Sequence, residues 1–273
     1  IDYLILHKLV MKSFIKNTLH KILLPRGRAY QEDKTLLDGW NKINMASGLK
    51  SICAIHKETT SISPKGVVFL SHPYLADAKQ FFLRNGHAQM YLEGGFHVTI
   101  FDYNGFGESK FSDFNYAEDF NIVVKYFRNI FPDTLFYGHG ISFGASNLIN
   151  YTNDSSHQLN KIIIENCLDS NLTYYKKRNI KLYYLMRALM KVFPFANKNH
   201  DYSKGVQSIK NVSDALFLYN TEDTLTTIEM GEKLQKNCIV PSQMVIFGGK
   251  HLEAFVTEPE RYKLTVANFI INN

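Results

Sequence analysis

The chain has 273 residues, 45% of them apolar and 21% charged, enough for one large domain with a substantial buried core. Its formal charge of +6 is concentrated at one end: residues 1–30 carry Lys8, Lys12, Lys16, Lys21, Arg26 and Arg28 against Asp2, and so supply +5. The remainder is close to neutral, which argues against a global basic surface for nucleic-acid backbones, and no run of 18 uncharged apolar residues is present to span a bilayer.

Residues 1–24 set Lys8, Lys12, Lys16 and His20 at four-residue intervals among leucines and isoleucines, which predicts an amphipathic helix ending before Pro25. Such a helix docks on the domain, on another subunit or on an anionic membrane surface. Its lysines interrupt the apolar stretch instead of preceding it, so it is a poor match to a signal peptide. Cys53, Cys167 and Cys238 are odd in number and share no close spacing, which argues against a disulfide framework or zinc site and for a reducing, cytoplasmic setting.

From about residue 50 short apolar strands alternate with helices. "KSICAIHK" and "GVVFLSHP" read as strands, "AKQFFLRNGHAQMYLEGG" as one helix, "HVTIFDYNGFG" as a strand entering a loop and "AEDFNIVVKYFRNIF" as a helix. Next come "TLFYGHG" (strand), "SFGASNLINYTN" (helix) and "KIIIENC" (strand); later "DALFLYN", "IEMGEKLQKN", "QMVIFGG" and "EPERYKLTVANFIINN" repeat the alternation. Apolar strands without a two-residue period, separated by helices, predict an α/β domain: a mostly parallel central sheet with helices on both faces. The expected core is residues 31–167 and 212–273. Between them, residues 168–211 are too long for a simple connection and read as a helical lid or binding surface, helical from about Tyr174 to Phe195.

Gly140, Ile141, Ser142, Phe143 and Gly144 form G-x-S-x-G between a predicted strand and a predicted helix. A serine at the tip of such a corner is held in a strained backbone, and side chains two residues before and after it would collide, hence the glycines. The strain exposes the hydroxyl and aims the first helix amides at whatever it attacks. A serine hydroxyl needs a base oriented by a carboxylate. His251, on the loop after the last strand with Gly248 and Gly249 before it, is the candidate base. Asp223, after the strand "DALFLYN", is the preferred acid; the adjacent Glu222 would point the other way in an extended segment, and Asp169 is the second candidate. His139 sits at a strand end and should point away from the serine. For the oxyanion, Phe143 offers one amide at the helix start; Pro73 has no amide hydrogen, which leaves Tyr74 as the second donor.

In these residues the chain resembles the α/β-hydrolase-fold serine hydrolases, of the esterase and thioesterase type. Ser142, Asp223 and His251 occur in the order that fold uses, and "FDYNGFGES" is similar to the loop after its fourth strand. The resemblance spans about residues 50–273, with one departure: His72 is followed by Pro73 where the family usually has His-Gly. It implies an acyl-enzyme mechanism without metal or cofactor. "NGFGES" fails as a dinucleotide fingerprint because Lys110 stands where a glycine is needed, and no paired carboxylates or ligand-spaced histidines suggest a metal.

The expected reaction is hydrolysis of a carboxylic ester or thioester with an apolar acyl group, on a small-molecule or carrier-bound substrate. Tyr174, Tyr184, Leu185 and Leu189 of the insertion are candidates to roof an acyl channel, or else they seat the lid on the core. Two other readings stay open: an acyltransferase using the same acyl-enzyme, and a non-catalytic binding module.

Overall fold

The computed structural model of the protein describes residues 32–192 and 200–271. The predicted N-terminal helix, and Phe193 to Phe195 of the insertion, lie outside the described residues. Eight strands form one sheet: β1 (Asn41–Ser47), β2 (Lys50–Lys57), β3 (Val67–Ser71), β4 (His97–Phe101), β5 (Phe136–Ile141), β6 (Lys161–Glu165), β7 (Asp214–Asn220) and β8 (Ser242–Phe247). Their spatial order is β1-β2-β4-β3-β5-β6-β7-β8, with β1 and β2 antiparallel and β3 to β8 parallel. Every residue of β3, β4, β5 and β6 is buried, as expected of parallel strands covered on both faces.

Two apolar layers flank the sheet. On one side Phe69, Phe101, Phe136 and Phe217 pack under α3 (Tyr116–Ile130), α4 (Phe143–Thr152) and α8 (Ile228–Asn237). On the other, Val68, Leu70, Ile100 and Leu216 meet α1 (Gln80–Arg84), α2 (His87–Glu93) and α10 (Pro259–Ile271), with α9 (Ala254–Thr257) before it. The single helix predicted over residues 78–95 is divided at Asn85 and Gly86, because Gly86 takes a left-handed φ of +83°.

The parallel register aligns the strand ends that carry the chemistry. Ser71 pairs with Gly140, and Ile141 with Glu165, so the loops after β3, β5 and β6 open on the same edge. Those after β7 and β8 join them, Asn220 being paired with Phe247. In an open parallel sheet this carboxyl edge is where ligands bind. The insertion after β6 folds into α5 (Asn171–Arg178), α6 (Ile180–Val192) and the short α7 (Tyr202–Gly205). Asn179, in extended backbone, separates α5 from α6, so the predicted run from Tyr174 is two helices.

Candidate active site

Ser142 sits at the corner between β5 and α4 with φ +54° and ψ −110°, a conformation that side-chain-bearing residues rarely adopt. Two features hold it there. Its amide donates to the Glu165 carbonyl at 2.8 Å, tying the corner to β6. The flanking glycines let backbones meet: a Cβ on Gly140 would lie 2.7 Å from the Ala145 backbone, and one on Gly144 only 1.9 Å from the Ser71 carbonyl oxygen. The spacing of the motif is therefore steric, as the sequence implied.

The structure brings the three predicted residues together. Ser142 Oγ lies 3.1 Å from His251 Nε2, and His251 Nδ1 lies 2.6 Å from Asp223 Oδ2. The carboxylate of Asp223 is buried and heavily donated to. Oδ1 accepts from the Leu225 and Thr226 amides at 2.7 and 2.9 Å; Oδ2 accepts from Asn166 Nδ2 at 3.1 Å and from the Thr226 hydroxyl. Burial works to raise the pKa of this group, but the hydrogen bond and charge of His251, with the Thr226 donors, outweigh it and hold the carboxyl below its ordinary value. An ionised Asp223 in turn fixes the proton of His251 on Nδ1 and leaves Nε2 free to accept from the serine.

The competing acids are otherwise engaged. Asp169 is buried but ion-paired to Lys233 at 2.6 Å, and Glu222 is exposed. His139 points to the opposite face of the sheet, where it contacts Tyr91 at 2.9 Å and Glu165 at 3.1 Å, and Tyr262 donates to the same carboxylate at 2.5 Å.

Phe143 is the first residue of α4, so its amide has no acceptor within the helix. In the loop after β3 the Leu75 amide is taken by the Pro73 carbonyl at 2.8 Å, and Tyr74 packs its ring against Phe106 and Phe143. The departure at His72-Pro73 has a structural counterpart. His72 is fully buried; its Nδ1 donates to the Pro73 carbonyl at 2.8 Å and its Nε2 accepts the Tyr103 amide at 3.2 Å. Burial pushes the His72 pKa down, in keeping with that neutral tautomer. This imidazole pins the loop after β3 to the loop after β4.

Behind these loops lies a buried ionic cluster. Lys79 Nζ contacts Asp102 at 2.5 Å and Glu108 at 2.9 Å, and Asp102 also accepts the amides of Lys79 and Glu108. Cys53, Asp102 and Glu108 bring potential ligand atoms within 4.8 Å of one another, and two ammonium groups, Lys79 on both carboxylates and Lys42 on Glu108, balance their charge. The Cys53 thiol is pushed up to about 12, chiefly by burial, so it is a protonated side chain at neutral pH. The "DYNGFGES" stretch thus acts as a scaffold: a Cβ on Gly107 would strike the Asp102 carboxylate.

A cavity of about 560 Å³ opens over Ser142 and His251. Tyr74 and Phe143 line it on one side; Leu168, Tyr174, Tyr175 and Tyr202 line it on the other. Tyr174 is therefore where the sequence placed it. Tyr184, Leu185 and Leu189 do not line the cavity; Tyr184 and Leu185 are 61% and 53% exposed. Asn179 ends α5 and caps α6, its Oδ1 accepting the Leu182 amide at 3.1 Å, and on α6 it is Met186 that is buried. Sequence reasoning missed Thr226, Asn166 and Tyr202. Only Thr226 had a signal, a hydroxyl three residues after the acid, where a turn returns it to the carboxylate.

No protein-family model matches this sequence, and no curated protein matches it. Solved structures do. An esterase of Pyrococcus furiosus is similar over 90% of this chain and 95% of its own, with 17% identity and a TM-score of 0.69. A carboxyl esterase of Bacillus coagulans covers 85% of this chain and 98% of its own at 13% identity, with a TM-score of 0.65. An esterase of Exiguobacterium antarcticum covers 84% and 98% at 17% identity, with a TM-score of 0.60. Together with the sheet order and the serine corner, these likenesses identify the architecture: the chain has the α/β-hydrolase fold.

Proposed function

We propose that this protein is a serine hydrolase that cleaves carboxylic esters or thioesters of apolar acyl groups through an acyl-enzyme. The observation that carries the reading is the unbroken hydrogen-bonded chain from Ser142 through His251 to Asp223 at the floor of a largely apolar cavity. The esterases that share the fold support the same reaction class.

In this mechanism Ser142 Oγ attacks the acyl carbonyl as His251 Nε2 takes its proton. The carbonyl oxygen becomes an oxyanion facing the amides of Phe143 and Tyr74, each such donor being worth about a hundredfold to a thousandfold in rate. His251 then protonates the leaving alcohol or thiol, whose bond to the acyl carbon breaks. Water, deprotonated by the same imidazole, attacks the acyl-serine; the bond from the acyl carbon to Ser142 Oγ breaks, and His251 returns the proton to Oγ as the acid leaves. Asp223 stays ionised throughout and stabilises the imidazolium. The tyrosines and leucines of the cavity receive the acyl chain.

A fluorophosphonate probe and a series of p-nitrophenyl esters test this. The wild-type protein is expected to label at Ser142 and to hydrolyse the esters, and Ser142→Ala to lose labelling and about a millionfold in kcat. A folded wild-type protein that neither labels nor hydrolyses any ester or thioester would reduce the site to a binding cavity.

A further inference from the structure

The near-neutral charge of the chain beyond residue 30 conceals a separation. Residues 171–192, the pair α5 and α6, hold Lys176, Lys177, Arg178, Lys181, Arg187 and Lys191 and no acidic residue. Since residues 1–30 are net +5 and the whole chain is +6, everything outside these two segments is net −5. Among the described residues none of the six cations forms an ion pair; the exposed Glu229 at the start of α8 feels the charge of Lys177.

The same helix pair exposes large apolar side chains. On α6, Ile180 is 50% exposed, Leu185 53%, Tyr184 61% and Val192 68%. At 3.6 residues per turn these four and Ala188 fall within about 140° of arc, opposite the buried Met186, with Lys181 and Lys191 in the same arc and Arg187 at its edge. The inward face is apolar too, with Leu182, Leu189 and Met190 half-buried around Met186. A helix apolar on both faces is stable only when both are covered, and here the outer one faces solvent.

We propose that the outer face of α6, with the basic end of α5, docks on an anionic lipid surface. The charge pattern selects this occupant. A second copy of the pair, or the basic segment 1–30, would bring like charge against six uncompensated cations. A nucleic acid would satisfy the cations but leave Ile180, Leu185 and Val192 in water. An anionic bilayer takes both: aliphatic side chains enter the acyl boundary, Tyr184 sits at the headgroup level, and the lysines and arginines meet phosphate. Because Tyr174 and Tyr175 of α5 line the cavity, docking would bring the cavity's rim to the membrane. The inference stands on charge and exposure and does not depend on the hydrolase reading.

Co-sedimentation of the full chain with phosphatidylcholine vesicles, with and without phosphatidylglycerol, tests it. The protein is expected to bind only when the anionic lipid is present. Lys181→Gln, Arg187→Gln and Lys191→Gln together should weaken partitioning about fivefold per cation, or roughly a hundredfold. Tyr184→Ser with Leu185→Ser should weaken it at least about tenfold. All five residues are partly or largely exposed on α6, and unchanged thermal midpoints identify variants that fold normally. Wild-type protein that stays in solution, or variants that bind as tightly as wild type because residues 1–30 hold the membrane, would overturn the proposal. Binding that needs the cations but not Tyr184 and Leu185 would also overturn it, by reducing the contact to electrostatic adsorption that leaves the apolar face in water.

Discussion

Thr226 closes over the carboxylate of Asp223, its amide donating to Oδ1 at 2.9 Å and its hydroxyl to Oδ2, while the hydroxyl oxygen lies 3.2 Å from His251 Nδ1. The hydroxyl thus helps hold the acid ionised and aligned with the imidazole. A hydrogen bond to a charged group contributes about 1.5–3 kcal/mol, so Thr226→Val, which keeps shape and removes the donor, should lower kcat about ten- to a hundredfold with little change in KM. Thr226→Ser should restore most of it. The pH profile separates positioning from mere packing. Removing a donor to the ionised form lets the Asp223 pKa rise toward its ordinary value, so in Thr226→Val the acid-side loss of activity should begin at higher pH. Unmoved acid limbs in Val and Ser variants alike would make Thr226 only a structural residue.

The two glycines of the serine corner make a prediction about folding. A methyl on Gly144 would sit 1.9 Å from the carbonyl oxygen of Ser71, which is backbone and cannot move without breaking the pairing of β3 with β5. Gly144→Ala is expected to destabilise by about 4 kcal/mol or more, in the range reserved for severe overpacking, and to abolish activity. Ser142→Ala leaves the corner's backbone unchanged and should melt near the wild-type temperature. Thermal denaturation of the two variants side by side checks both statements.

The corner and the parallel sheet were legible because each has a local signature. β3, β4 and β6 are buried strands rich in valine, isoleucine and phenylalanine, and the elbow that follows β5 is a steric pattern within five residues. β1 had no such signature: "NKINMAS" is an edge strand with Met45 as its one buried residue, and its polar residues leave no continuous apolar run. The choice between Asp223 and Asp169 was legible only as a preference, because it turns on Lys233, 64 positions from Asp169, claiming that carboxylate across the fold. The direction of Tyr184 and Leu185 was not legible at all. Their apolar character is the same whether they face a cavity or solvent, and Asn179, which caps α6, does not interrupt the apolar period of the segment.

His87 is buried in an aromatic box with Phe81, Phe82, Phe255 and Tyr262, and among the described residues neither ring nitrogen has a hydrogen-bond partner. Burial pushes its pKa down from 6.5 to about 3. Above the unfolded value both states are neutral and the imidazole makes no pH-dependent contribution. As pH falls below 6.5 the unfolded chain takes up a proton that the folded chain refuses, so stability declines until the folded group titrates near 3. His87→Phe removes that decline and the unsatisfied nitrogens together. Its thermal midpoint should exceed the wild type's by more at about pH 5 than at about pH 8. Parallel melting curves across that range, with a constant offset, would show that His87 is hydrogen-bonded or charged in the folded protein.

The cavity over Ser142 sets the response to acyl length. Each methylene buried against Leu168, Tyr175 and Tyr202 contributes about 0.8 kcal/mol, close to fourfold in kcat/KM, as long as unfilled apolar wall remains. With p-nitrophenyl esters of rising chain length, kcat/KM should therefore climb about fourfold per carbon and then level where the cavity is full. Leu168→Trp occupies part of the space beside Ser142 without touching the triad, so its profile should follow the wild type for the shortest esters and level at a shorter chain. The comparison isolates the cavity from the chemistry, because both proteins share the same nucleophile, base and oxyanion amides. If the two profiles coincide at every length, the acyl group does not lie along Leu168, and the cavity holds the leaving group instead.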